Sequence, residues 1–495
     1  MFALFQDFDM STVRLLLSCL LFKEVLALSG KCAKCVYSIF SLTLLKSRWN
    51  FVCVITHRLY PGSFWHITDQ HWDPTYKLTD DPELVCASSG NRPAASAGAF
   101  GDYACDSPWH LINSSVYAMK DILPDPDFIV WTGDDTPHVP NEDLGEEAVL
   151  HIIGNLTHIL SLVFPNTKIY SALGNHDYHP KNQLPASPNY MYDQIAEMWK
   201  DWLDPDSQGT FKKGGYYTEK LLNRAGFRMI VLNTNLYYDQ NNVTGNLEDP
   251  ADQFSWVDQV LTEAAINKEK VYIIGHVPPG FFEKKRSKPW FMPKFNKQYV
   301  DLIQKHHPAI LGQFFGHHHT DSFRMFYNSE NLPISTMFLS PGVTPWKTTL
   351  PGVVDGANNP GIRVFEYDTQ TLLVKDVVTY YLNLTHANAA QGRWEKEYRL
   401  TESFRVPDAS PSSMHQALER IANDRCYLQK YYDFNSVSYD LTECDSNCRV
   451  DHVCAAREVD FDRYEHCVEK EGTAAIYGGL LPVLSVAVSL LLVNR

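Results

Sequence analysis

Five short segments of the chain carry side chains that bind divalent metals: Asp69-Gln70-His71, Gly133-Asp134, Gly174-Asn175-His176-Asp177, Gly275-His276 and Gly316-His317-His318-His319. Imidazole nitrogens together with carboxylate and amide oxygens suit a borderline ion such as Zn²⁺, whereas Mg²⁺ and Ca²⁺ favour oxygen throughout. Each segment is weak evidence alone, because a single strand-end histidine is more often hydrogen-bonded structure and a Gly-Asp pair is usually a turn. Their placement gives them force. Each directly follows an apolar run rich in β-branched and aromatic residues: Phe64–Thr68, Phe128–Thr132, Lys168–Leu173, Val271–Ile274 and Ala309–Phe315. Such runs, with a sixth at Arg228–Leu232, read as buried strands. Between them Leu144–Phe164, Tyr190–Leu203 and Phe254–Ile266 have helical period, so the alternation predicts an α/β fold. In open α/β sheets ligands bind beyond the carboxyl ends of the strands. Five strands would therefore deliver metal-binding groups to one edge, and the glycines let the backbone turn sharply as it leaves the sheet.

The composition agrees with a folded catalyst. The 495 residues are 44% hydrophobic and 20% charged, and the formal charge is −15. Low hydrophobicity with high charge would mean disorder, and a basic excess would mean nucleic-acid binding; neither holds, so no nucleic-acid polymer is expected as a partner. Of the 11 cysteines, Cys426, Cys444, Cys448, Cys454 and Cys467 form a dense late cluster. Disulfides and a zinc ribbon are the two readings of such a cluster, and the spacings lack the paired C-x-x-C geometry that zinc favours. Four sequons, at Asn113, Asn155, Asn242 and Asn383, agree with a secreted route. Residues 1–61 read as targeting sequence or an atypical N-terminal segment, since Lys23 and Glu24 interrupt their first apolar run. Residues 472–495 contain small residues followed by an uncharged apolar run, Ile476 to Val493. This fits a glycosylphosphatidylinositol attachment signal; the alternative is one transmembrane helix, which Gly478, Gly479 and Pro482 weaken.

Taken in order, the five segments (D-x-H, G-D, G-N-H-D, G-H, G-H-x-H) resemble the signature of the calcineurin-like metallophosphoesterases. Within that superfamily, Phe64-Trp-His-Ile-Thr-Asp69, Trp131-Thr-Gly-Asp-Asp135, Gly275-His-Val-Pro-Pro-Gly280 and Gln313-Phe-Phe-Gly-His-His-His319 are similar to the acid sphingomyelinase-like phosphodiesterases, and the tail points to their lipid-anchored type. The resemblance implies a four-layer α/β/β/α sandwich over residues 62–400, whose second sheet the runs Ile334–Leu339, Gly361–Tyr367 and Leu372–Val378 would complete. A small helical, disulfide-bearing region would follow at 401–471. It implies two Zn²⁺ ions per subunit: one held by Asp69, His71 and His319, the other by Asn175, His276 and His317, with Asp134 bridging. A hydroxide bridging the ions would attack in line, His176 would protonate the leaving group, and His138 would serve as the second site histidine. His318 would be structural, and His179 would line the pocket or lie on the surface. By analogy with the family, Cys86 pairs with Cys105, Cys444 with Cys448 and Cys454 with Cys467, leaving Cys426 free.

The implied activity is that of a surface or secreted phosphodiesterase acting on soluble nucleotide-type phosphodiesters or pyrophosphates, as a monomer held to the outer leaflet of the plasma membrane by its lipid anchor. One alternative is a sphingomyelin-type lipid phosphodiesterase. However, only Cys86 and Cys105 lie between residue 62 and the late cluster, so a six-cysteine lipid-extracting module is missing. A second alternative is an anchored modulator of lipid or innate immune signalling. Trp72, Phe281, Phe282, Trp290 and Trp346, near the expected mouth, would stack a base or cover an acyl chain, or else serve only as packing.

Overall fold

A computed structural model describes residues 61–473, apart from 222, 223, 225, 287 and 391. The expected targeting segment, the attachment signal, and Cys19, Cys32, Cys35 and Cys53 lie outside the described residues. Among those described, no helix is long and apolar enough to cross a membrane.

Twelve strands form two sheets. In chain order they are β1 (Gly62–Ile67), β2 (Phe128–Trp131), β3 (Ile169–Ser171), β4 (Tyr217–Lys220), β5 (Phe227–Val231), β6 (Lys270–Ile274), β7 (Ile310–Phe315), β8 (Ser322–Tyr327), β9 (Pro333–Leu339), β10 (Gly361–Tyr367), β11 (Val374–Leu382) and β12 (Trp394–Arg399). The first sheet has the order β12-β11-β10-β1-β2-β3 and the second β4-β5-β6-β7-β9-β8. At the centre of each sheet the strands run parallel, β1 beside β2 and β3, and β5 beside β6, β7 and β9. Antiparallel strands complete one side of the first sheet, β10 to β12, and both edges of the second, β4 and β8, while β3 is a parallel edge strand.

The sheets meet face to face across an aromatic core. Phe64 of β1 packs 5.2 Å from Phe314 of β7, and Phe365 of β10 lies 4.8 Å from Phe314 and 5.3 Å from Phe338 of β9. Strands buried on both faces need apolar residues at every position, which is why β2 reads FIVW and all four residues are buried. Helices cover the outer faces. On the first sheet, Trp131 packs 5.6 Å from Trp199, whose indole N–H donates to Thr157 of the helix Glu146–Val163. On the second, Tyr299 of the helix Pro293–His306 donates to Gln313 of β7. The result is a four-layer α/β/β/α sandwich.

One expectation about strand placement is corrected. β9 joins the second sheet, but β10 and β11 pair with β1 and extend the first. The chain crosses back because β1 exposes a free edge that β10 fills in antiparallel register, Phe64 opposite Phe365. The helices Pro411–Asn423 and Ser446–Arg457 then pack against β8 and β9. Bonds Cys86–Cys105, Cys444–Cys448 and Cys454–Cys467 are formed, and Cys426 is free and exposed.

Candidate metal centre and active site

The candidate ligands stand just past the ends of β1, β2, β3, β6 and β7. Five of them, Asp69, His71, Asp134, His317 and His319, adopt positive φ between 39° and 73°. For residues with a Cβ this costs about 1–2 kcal/mol each, and such strain gathers where side chains must be aimed at one point. The turns also pass close to one another. A Cβ on Gly174 would sit 2.2 Å from the Asp134 backbone nitrogen, and one on Gly316 would sit 2.1 Å from the Thr68 hydroxyl. Only glycine permits those approaches.

Among the described residues the donors gather into overlapping groups: Asp69, His71, Asp134 and His319; Asp134, His276 and His317; and a third in which His138 joins His71 and His319. His276 Nε2 lies 3.0 Å from Asp134 Oδ2 and 3.1 Å from Asn175 Oδ1, which brings the amide into the second group. His71 Nε2 and His319 Nε2 face each other at 3.1 Å, and each lies 3.5 Å from a carboxylate oxygen, of Asp134 and of Asp69 respectively. The second nitrogens of two rings are tied back: His71 Nδ1–H donates to the Thr136 carbonyl at 2.7 Å and His276 Nδ1–H to the Thr132 carbonyl at 2.6 Å. Those bonds fix the tautomer so that Nε2 offers its lone pair inward. Both ring nitrogens of His317 are buried without a partner.

The electrostatics also call for positive charge. Burial holds His71, His317 and His319 well below the usual imidazole range, in the neutral form that binds a cation. Although burial opposes its charge, the nearby Asp134 pushes His276 up to about 9. Burial acts to raise the Asp134 carboxyl, yet His276 and then His176 outweigh it and hold it well below its usual range. Orphaned nitrogens, facing lone pairs and a mixed N/O donor set together fit two divalent ions sharing Asp134.

Other residues hold this constellation. The Asp177 carboxylate accepts backbone N–H bonds from Asp134 at 2.9 Å, Asp135 at 2.7 Å and Gly174 at 2.7 Å, lacing the β2 and β3 turns together. His138 stacks on Trp346 with ring centroids 3.7 Å apart and planes at 7°, and it lies 4.5 Å from His176 and 4.2 Å from His71. Buried Asp106 receives the His138 backbone N–H at 2.6 Å, and its carboxylate lies 3.1 Å from the ring Nδ1. Burial pushes Asp106 up to about 8 and His138 and His176 down to about 3, so all three are held towards neutrality. The roles of Asp177 and Asp106 are missed in the sequence. Asp177 stands in the G-N-H-D segment and so carries some signal, whereas Asp106 lies 32 residues before its partner in no motif.

His318 turns away from the candidate ligands. Its Nδ1 lies 3.1 Å from Glu283, a fully buried carboxylate that also receives Arg324 at 2.6 Å, Thr320 at 2.8 Å and Asn435 at 2.9 Å. This network ties the C-terminal helices to the loop bearing His317 and His319. A cavity of about 220 Å³ opens above the ligands, lined by His138, His176, Phe282, Lys284, Trp290 and Trp346 among others. Two of the aromatics expected at the mouth are elsewhere: Trp72 packs 4.8 Å from Trp109, and Phe281 stacks 3.9 Å from Tyr464. Both serve packing, because their rings fill gaps under the helices that flank them. His179 is half-buried outside the cavity. The sequon residues Asn113 and Asn155 are half-buried on helices, and Asn242 and Asn383 are exposed.

Comparison with known proteins agrees with this geometry. Residues 62–321 match the calcineurin-like phosphoesterase family, and residues 332–474 match the acid sphingomyelin phosphodiesterase C-terminal region. The chain therefore belongs to the calcineurin-like phosphoesterases, a class of divalent-metal enzymes. Within that class it belongs to the acid sphingomyelinase-like phosphodiesterases. It is 60% identical over 423 residues to acid sphingomyelinase-like phosphodiesterase 3b of Mus musculus, covering 85% of this chain and 92% of that one. It is 40% identical over 413 residues to cyclic GMP-AMP phosphodiesterase SMPDL3A of Homo sapiens, covering 83% and 90%. Sphingomyelinase phosphodiesterase C of Dictyostelium discoideum is 39% identical over 419 residues, covering 82% and 92%.

Proposed function

We propose that the chain is a dinuclear zinc phosphodiesterase of soluble nucleotide-type substrates, held at the outer face of the plasma membrane by a glycosylphosphatidylinositol anchor and also secreted. The observation that carries the reading is the convergence of Asp69, His71, Asp134, Asn175, His276, His317 and His319 beneath an open, aromatic-walled cavity. Mixed imidazole and oxygen donors favour zinc, and zinc is redox-inert in the oxidising compartment that three disulfides imply. A relative at 40% identity is named for cleaving cyclic GMP-AMP, a nucleotide phosphodiester. The surface location rests on the sequons, the disulfides and the apolar tail.

Bound by the seven donors, two divalent ions would polarise the phosphoryl oxygens and activate water for in-line attack. The chain's own residues do the rest. His176 and His138 flank the cavity with rings 4.5 Å apart, where they donate hydrogen bonds to phosphoryl oxygens; His176, neutral in the free site, takes up a proton when the phosphate anion lies against it and delivers that proton to the departing alkoxide. Asp106 and the Trp346 face fix the His138 ring. Asp177 keeps the β2 and β3 turns in register so that Asp134 and Asn175 reach the same point. Phe282 and Trp290 form an apolar wall that suits a base or sugar face.

The test compares the purified protein with Asp134→Asn on a nucleotide phosphodiester and on sphingomyelin in detergent. Nucleotide turnover that falls at least about 100-fold in the variant supports the reading. Faster turnover of sphingomyelin than of the nucleotide would favour the lipid enzyme instead. Signalling effects that survive in Asp134→Asn would assign the chain a modulatory role apart from catalysis.

A further inference from the structure

One carboxylate ties together the two loops that bring histidine ligands from the second sheet. Glu283 stands in the loop that follows β6 and begins at His276, and its side chain is fully buried. Oε2 accepts from His318 Nδ1–H at 3.1 Å and from Arg324 at 2.6 Å, while Oε1 accepts from the Thr320 hydroxyl at 2.8 Å and the Asn435 amide at 2.9 Å. Residues 318 and 320 alternate with the candidate ligands 317 and 319. The even side chains are fastened to Glu283 while the odd ones reach the ligand groups, His319 with Asp69 and His71, and His317 with Asp134 and His276. The same carboxylate reaches the C-terminal region. Asn435, the last residue of the helix Arg425–Asn435, also donates to the Asp321 carbonyl at 3.0 Å, and its own carbonyl accepts the Asp321 N–H at 3.0 Å.

This grip has a mechanical use. His317 and His319 hold φ of 73° and 59°, and a loop with two such residues relaxes towards negative φ unless its neighbours are fixed. A hydrogen bond to a charged acceptor is worth at least as much as one positive φ costs, so the two bonds from His318 and Thr320 offset the strain of the two ligands between which they lie. The acceptor is kept charged and in place. Arg324 is itself fully buried and requires an anion, and its guanidinium is held from the other side by the Phe281 carbonyl at 3.1 Å. Glu283 thus does for the loops after β6 and β7 what Asp177 does for the turns after β2 and β3, but it holds side chains where Asp177 holds backbone N–H groups. One loop serves both ligand groups, so its position matters to both.

We propose that Glu283 is a positioning residue for the His317–His319 loop, and that through it Asn435 makes metal retention depend on the C-terminal region. The inference rests on the reading of the site as a metal centre and deepens it. The deciding measurement is the Zn²⁺ affinity of the purified protein by competition against a chelator, with thermal melting of the metal-free protein alongside, in wild type, Thr320→Val, Thr320→Ser, Asn435→Ala and Glu283→Gln. Thr320→Val and Asn435→Ala should each weaken the less tightly held Zn²⁺ by about 10-fold and Glu283→Gln by about 10- to 100-fold, while Thr320→Ser, which keeps the hydroxyl, should match wild type. Cobalt in place of zinc gives a second readout: its visible spectrum should shift in Thr320→Val and not in Thr320→Ser. Glu283→Gln leaves Arg324 without its anion, so if that variant does not fold, Thr320→Val and Asn435→Ala decide. Variants that melt lower without metal yet bind Zn²⁺ as wild type does would overturn the proposal, because Glu283 would then serve packing alone. If wild type retains no Zn²⁺, the metal-centre reading fails; wild type that retains it beside equally retentive variants sinks the positioning role alone.

Discussion

Asp177→Asn is a small change with a large expected effect, because the residue touches no substrate and yet holds the site. In the wild type, Oδ2 accepts the Asp134 and Gly174 N–H groups and Oδ1 accepts that of Asp135. An asparagine can place its oxygen where two of these bonds converge, but its NH₂ then meets the Asp135 N–H donor to donor. The loss is one charge-assisted bond plus one buried unpaired N–H, or about 2–4 kcal/mol in all. The β2 and β3 turns carry Asp134 and Asn175, so loosening them should also weaken divalent-metal binding by about 10- to 100-fold, as for other residues that orient ligands. Thermal melting reads the first effect and competition against a metal chelator the second. A variant that melts within a degree of wild type and competes equally well would refute the claim that Asp177 organises the site.

Two further outcomes are expected. His176→Ala should keep its metal but lose about 10² to 10⁴ in kcat on alkyl phosphodiesters, with far less loss when p-nitrophenolate leaves; equal losses on both substrates would remove His176 from proton donation. Glu397, on the edge strand β12, has one buried oxygen without a partner, the other accepting from Ser438 at 2.7 Å. Burial pushes its carboxyl up to about 8. A raised acid stabilises fully below its unfolded pKa of about 4.3 and loses that contribution as pH rises towards the folded value. Glu397→Gln should therefore be more stable than wild type at pH 7, on the order of 1–3 kcal/mol, with the gap closing near pH 4. A gap that does not vary with pH would contradict this.

The catalytic edge is legible in the sequence because both its signals are local. Buried parallel strands are mainly apolar, and five of them, β1, β2, β3, β6 and β7, end in a glycine or a sharp turn that puts a candidate metal ligand next in the chain. What escapes is set by partners distant in sequence. β8, SFRMFY, does not read as a buried strand because Arg324 interrupts it, and the Glu283 carboxylate, with the Ser322 hydroxyl and the Phe281 and Phe323 carbonyls, makes that arginine tolerable inside. β12, WEKEYR, is an edge strand with a wet face, so its polar pattern resembles a loop. β10 and β11 are visible as strands, but nothing within them tells which sheet they join. Asp106 carries no motif, and its importance follows from what it lies beside in the fold.

The central claim is that seven side chains hold two zinc ions around a shared Asp134. The most direct measurement is the metal content per chain of the purified protein by elemental mass spectrometry, in wild type and in Asp134→Asn. Two zinc ions per wild-type chain, falling to one or none in the variant, is the result this account predicts. A wild-type protein reconstituted with excess zinc that retains fewer than two ions per chain, or a variant that retains both, would contradict it.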